Sequence, residues 1–443
     1  MSHATSAADS RPGTTGAGVA AVIDPGGSAP PSTGGTPPPA TPRHLTWSRG
    51  DTIRTSIAVG IALVLLGLSV WLYGQPNDSF GGSGASFALL AGAGLGILFE
   101  RGRFCFFCIF RDFFEFKNSR GIYSILAALV VGTLGYALVF ATRIADPTTG
   151  TLPQYAHIGP VGPALVVAGI AFGFGVVISG GCIGGHLYRL GEGSLRAIPA
   201  LAGTVVGFGL GFLTWNPIHG ALIDGAPAPW LPSAGGYTIA VLLQVSVLAA
   251  IGVFLLRWNP ATKPSAARVI DATEIRRLLF FTRWPALLTG ALVGLIGAIA
   301  YFRNQPLGVT SQLSSLSRTV LDGLGIAPST LEGLDAGSRL RGCVAAVVET
   351  ITNNGWLIIG IVAGSLAAAL PGRRFSWEPL TVKNSATALF GGVLLGWGAI
   401  IGLGCTIGVF LSGTQAMALS GTVFAISVVA ALGLGFRWGL HRS

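Results

Sequence analysis

Apolar residues along this 443-residue chain come in long blocks rather than in alternation. The blocks fall at about 55–74, 86–99, 121–141, 161–178, 195–214, 236–256, 284–302, 343–370, 384–402 and 414–436. About 20 apolar residues carry a helix across a bilayer, so the blocks predict membrane-spanning helices. Several are too short for a full span. These abut further apolar pieces at 103–116, 183–190 and 405–412. Short, glycine-interrupted segments of this kind point to broken or re-entrant helices near the midplane of a transporter. The expected fold is an all-α polytopic membrane protein.

Composition agrees with the pattern. Only 10% of residues are charged, against about 25% in a soluble domain. So few charges could not cover a soluble fold of this length. The net charge of +10 is explained first by basic residues gathered at cytoplasmic membrane edges. No nucleic-acid motif accompanies it. Residues 1–50 hold 8 Pro and 8 Gly, a composition that predicts a disordered cytoplasmic tail. No basic stretch leading into an apolar core follows Met1, so a signal peptide is not expected there. The remainder, 51–443, reads as one transmembrane domain.

Basic clusters around residues 43–54, 101–120, 257–283, 373–383 and 437–442 alternate with loops 75–85 and 215–235, which have no Lys or Arg. This alternation predicts both termini in the cytoplasm and an inner-membrane location. Segment 303–342 breaks the pattern, because parity puts it outside while it carries four arginines.

The two halves, about 85–256 and 284–436, echo each other. Gly173-Phe-Gly175 leads through Ile178 and Gly181 to Cys182 and Gly185; Gly396-Trp-Gly398 leads through Ile401 and Gly404 to Cys405 and Gly408. Every offset matches. By the charge count Cys182 follows an inward span and Cys405 an outward one. That relation predicts an inverted-topology repeat with the substrate between its halves.

The five cysteines, an odd and scattered set, do not form a disulfide framework. Cys182 and Cys405 stand at paired positions between glycines that let backbone approach a ligand closely. A short helix starting at either cysteine would turn its free N–H groups toward the bend, a ready anion site. A thiol there is a weak donor, and weak donors in series pass an anion on without trapping it. Cys105 lies in Arg101-Gly-Arg103-Phe-Cys105-Phe-Phe-Cys108-Ile-Phe-Arg111-Asp112. Cys108 sits on nearly the same helical face and reads as a second pathway thiol, a resolving cysteine or core filler. Cys343 matches no motif and reads as structural.

The Arg-Phe-Cys-Phe element, the Gly-Gly-Cys182…Leu-Tyr188-Arg189-Leu-Gly-Glu192-Gly element and the late Gly-x-Gly404-Cys405 element together resemble the YeeE/YedE family of sulfur-transport membrane proteins. The resemblance covers roughly residues 85–436. It implies import of thiosulfate or a related sulfur anion through S–H···S contacts at Cys105, Cys182 and Cys405. It also implies a small cytoplasmic sulfurtransferase as partner. The second half has Pro306 where the first has Cys105, in keeping with a three-cysteine pattern.

Secondary candidates are Gly181, Gly404, Thr406, His186, Arg189, Cys108 and Asn353. His186 serves as a substrate or proton site, or as a hydrogen-bonded structural residue. Arg189, Glu192 and Arg196 pair at the inner surface or attract substrate. Asn353 and Asn354 read as polar residues in mid-segment, functional or bonding between helices. No nucleotide-binding loop, catalytic triad, cofactor motif or closed metal set is visible, so the chain reads as a permease and not an enzyme. Two rivals are a membrane thiol enzyme carrying persulfide on Cys105 and Cys108, and a soft-metal transporter using the dispersed thiols.

Overall fold

The computed structural model describes residues 47–77, 80–153, 155–257, 281–303, 305–334 and 350–442. Residues Ser48–Ser443 form one compact unit. All but the last four residues of the expected tail, and Cys343, lie outside the described residues.

The helices run in chain order as α1 (Arg49–Tyr73), α2 (Gly82–Gly102), α3 (Phe106–Phe116), α4 (Arg120–Arg143), α5 (Pro163–Ser179), α6 (Ile183–Gly191), α7 (Ala197–Ile218) and α8 (Pro232–Leu256). There follow α9 (Ala286–Arg303), α10 (Thr310–Gly323), α11 (Asn353–Ala369), α12 (Val382–Ile401), a π-helix Thr406–Gly413 and α13 (Leu419–Arg437). Among the described residues the only β pairing is two isolated bridges, and nine helical segments are long and apolar enough to cross a bilayer. The chain is an all-α polytopic membrane protein.

Burial separates rim from centre. In α1 and α8 only 22% of the apolar window is buried, against 67% over α5 and α6. Leu63, Val70 and Ile239 project outward accordingly, into what a bilayer would fill with acyl chains. The interior helices meet at very short range. Gly203 and Gly207 of α7 face the backbone of Leu389 and Val393 of α12, where any Cβ would collide. Close approach through small residues is how helices associate where lipid is as apolar as leucine. The pairing is reciprocal between halves: α2 with α11 and α4 with α9, α7 with α12 and α5 with α13, and α5 with α12.

Three long helices stop short and restart as another helix. The breaks fall at left-handed residues: Arg103 (φ 52°) after α2, Gly180 (φ 84°) after α5, and Leu403 (φ 59°) with Gly404 (φ 147°) after α12. The restarted helices are α3, α6 and the π-helix, which match the short apolar pieces of the sequence.

One expectation is corrected. Block 343–370 is not helical throughout its described part: α11 begins at Asn353, so Asn353 and Asn354 occupy its first turn rather than mid-span. Thr352 and Asn354 bond instead to Gln312 and Ser311 of α10, as interhelical ties. Segment 303–342 contains the short helix α10, with Ser314, Ser315 and Ser317 buried. On the side of the α2–α3 break, the buried Glu100 carboxylate lies 2.7 Å from Arg374 and 3.4 Å from Arg101. Arg373 pairs with Asp51. These pairs tie loop 370–376 to α1 and α2.

Candidate functional site

Each of the three predicted pathway cysteines occupies the residue just before a short interior helix. Cys105 precedes α3, Cys182 precedes α6 and Cys405 precedes the π-helix. Left-handed backbone ends the preceding helix and turns the chain, so the next helix presents its unpaired N–H groups to the bend. The Cys182 sulfur accepts the Gly185 N–H at 3.3 Å. The Cys405 sulfur faces the backbone of Ile407, Gly408 and Val309. All three are free thiols and 3% exposed or less.

Cys182 neighbours both Cys105 and Cys405. A side-chain carbon placed on Gly185 would lie 3.4 Å from the Cys182 sulfur and 3.7 Å from that of Cys105. Both sulfurs therefore converge on one bare stretch of α6. On its far side Cys182 faces Thr406, the neighbour of Cys405. The Thr406 hydroxyl is buried, with no hydrogen-bond partner among the described residues. Phe104, Phe106 and Phe410 pack around the Cys105 turn, keeping its surroundings apolar.

Beside Cys105 lie Cys108 and arginines. The Cys105 sulfur lies against that of Cys108. Arg189 Nη2 donates to the Cys108 sulfur at 3.0 Å, and Nη1 to the Gly180 carbonyl at 2.8 Å. Arg103 approaches the same sulfur, and Arg189 also lies over the Phe107 ring. Glu192, just beyond α6, accepts at its carbonyl from Ser376 N–H. Burial, and then the Glu100 carboxylate, push its side chain up to about 7.

Loop 144–162 covers the Cys405 turn. His157 (φ 54°) sets its ring against Gly404 and Gly408, and burial pushes the imidazole down to about 4. A cavity of about 50 Å3 opens here, lined in part by His157, Leu403, Val409 and Ser420.

The remaining candidates divide. Gly181 lies against the His186 ring, and His186 Nε2 is 3.0 Å from Ser179 Oγ, which lies 2.9 Å from the Gly181 carbonyl. His186 thus supports the turn that holds Cys182. Asn353 lines a separate cavity of about 20 Å3 with Pro306 and Leu307, room for about one water. Sequence reasoning did not single out Gly185, His157 or Val309. Gly185 stood in a quoted motif, but nothing local marks it as shared by two thiols.

Among the described residues no group of three or more His, Cys, Asp or Glu is placed to hold a metal ion. The arrangement can offer a soft anion a succession of thiols, a hydroxyl and backbone N–H groups, with fixed positive charge at one end.

The family model described as sulphur transport matches residues 101–434. A thiosulfate transporter, TsuA, from Escherichia coli strain K12 is 29% identical over 347 residues, which is 77% of this chain and 90% of that protein. TsuA from Spirochaeta thermophila is 29% identical over 350 residues, 76% of this chain and 94% of its own. A probable transporter, YedE, from Escherichia coli strain K12 is 32% identical over 172 residues, 39% of this chain and 40% of that one.

Proposed function

The chain belongs to the sulphur transport family, and we propose that it imports thiosulfate, or a closely related sulfur dianion, along the column Cys405–Thr406–Cys182–Cys105. The observation that carries this reading is the convergence of the Cys105 and Cys182 sulfurs on Gly185, continued through Thr406 to Cys405. A soft terminal sulfur accepts S–H···S contacts from each thiol in turn. None of these donors is strong enough to hold it. The cavity beside His157 is the entry, and the arginine end is the exit.

The reciprocal pairing of helices supports an inverted repeat. α2 and α4 contact α11 and α9, and α5 and α7 contact α13 and α12. Cys182 and Cys405 occupy matching breaks, and the Val309 N–H faces the Cys405 sulfur. The polarity of basic loops supports an inner-membrane protein with cytoplasmic termini. Inward movement of a dianion against a negative interior costs about 2.3 kcal/mol per charge per 100 mV. Consumption of the substrate by a small cytoplasmic sulfurtransferase would keep the gradient inward. The reading is of a permease, with no covalent step on the protein.

The test is growth of a sulfate-uptake-deficient bacterial host on thiosulfate as sole sulfur source. The wild-type chain rescues growth, and Cys182→Ala and Cys405→Ala do not. Failure of the wild type to rescue refutes thiosulfate as substrate. Rescue that survives all three of Cys105→Ala, Cys182→Ala and Cys405→Ala refutes the column.

A further inference from the structure

Arg189 and Arg196 flank the Gly180 turn at the exit of the column. Arg189 donates to the Gly180 carbonyl and the Cys108 sulfur, and Arg196 to the Ile178 carbonyl and Thr387. Neither has a carboxylate at ion-pair distance among the described residues. By contrast, Arg103 and Arg111 share Asp112, and Arg374 pairs with Glu100. An enclosed cation without a counter-charge is costly to keep. Its cost falls when an anion arrives, so the site is matched to a passing anion and not to a permanent partner.

The neighbour of Arg189 narrows the class of anion. Its guanidinium lies 3.0 Å from a buried thiol, so one spot combines a planar fork for oxyanion oxygens with a soft sulfur. We propose that Arg189 and Cys108 form an exit station, resting on the thiosulfate reading above. There the guanidinium takes the sulfonate oxygens and the Cys108 thiol takes the terminal sulfur. The three relay thiols read only the soft end. This station reads both ends, and it therefore distinguishes thiosulfate from sulfate, which has no soft end. Arg103 approaches the same sulfur while sharing Asp112 with Arg111, and Arg196 adds charge beside the turn. The dianion passes there from a path of weak donors to a charged one.

The test uses the full chain in nanodiscs of neutral lipid, with thiosulfate and sulfate binding measured by calorimetry and by thermal shift. Wild type binds thiosulfate at least about tenfold tighter than sulfate, or 1.4 kcal/mol. Cys108→Ala loses most of that preference while sulfate binding holds. Arg189→Gln weakens both anions, and Arg189→Lys, which keeps the charge but not the fork, falls between. Cys182→Ala loses uptake yet still binds thiosulfate. An unchanged preference in Cys108→Ala, with wild type binding normally, overturns the station while leaving the relay intact. Thiosulfate binding lost in Cys182→Ala but kept in Arg189→Lys and Cys108→Ala overturns it too. So does loss of thiosulfate binding in a second set of discs made with anionic lipid, with no effect of Cys108→Ala, which makes the arginines a headgroup site. A wild type that neither binds nor transports thiosulfate refutes instead the underlying function.

Discussion

Gly185→Ala separates folding from passage more sharply than removal of a thiol. The position is the third residue of α6, with ordinary helical backbone. Its new methyl would meet the Cys182 sulfur at 3.4 Å and the Cys105 sulfur at 3.7 Å, both ordinary van der Waals distances. No overlap results, so the fold accepts it. Alanine is also favoured over glycine inside a helix by roughly 0.5–1 kcal/mol. The variant should therefore melt at or slightly above the wild-type temperature. Yet the methyl lies between the two sulfurs that must hand the anion across. It adds an apolar wall where the substrate's sulfur would sit. A loss of at least about tenfold in uptake, a barrier increase of ~1.4 kcal/mol, is expected with stability unchanged or raised. The assays are scanning fluorimetry in detergent and radiolabelled thiosulfate uptake in cells. Wild-type uptake by a stably folded Gly185→Ala protein would refute the claim that substrate passes between Cys105 and Cys182.

Other perturbations test neighbouring parts of the account. Thr406→Val removes a buried hydroxyl that has no hydrogen-bond partner among the described residues; stability should hold within about 1 kcal/mol while uptake falls, and equal uptake would remove Thr406 from the path. Glu192, held up at about 7 by burial, keeps its proton in the folded chain at pH values where the unfolded chain has lost it, so stability declines as pH rises from about 4.5 toward 7. Glu192→Gln should flatten that slope in a series of melting curves, and an unaltered slope would contradict the assignment. Arg374→Ala strips the buried Glu100 carboxylate of its 2.7 Å partner and should cost about 3–5 kcal/mol, read as a large drop in melting temperature at neutral pH; a drop under about a degree would show the carboxylate is otherwise satisfied.

The membrane architecture was legible because block length and glycine placement are local properties. The breaks at Gly180 and Gly404 were legible for the same reason, and with them the positions of Cys182 and Cys405. Spacing puts Cys105 and Cys108 on one helical face and only the resemblance tells them apart; in the fold Cys105 caps α3 and Cys108 lies inside it. The Arg189 contact to Cys108 joins residues 81 apart in the chain, a distance over which hydrophobic period carries no information. Asn353 was misplaced because the apolar run before it looks continuous, while the helix starts at Asn353 after an extended Thr352. His157 gave no signal because a left-handed histidine in a loop is set by its packing on Gly404 and Gly408, not by its neighbours in sequence.

Uptake of radiolabelled thiosulfate into proteoliposomes containing only this chain tests the thiol column most directly. Under an imposed gradient, wild type should accumulate label, and Cys182→Ala and Cys405→Ala should fall to the level of empty vesicles while melting as wild type does. Gradient-driven uptake that persists at the wild-type rate in the Cys105→Ala/Cys182→Ala/Cys405→Ala chain would contradict it.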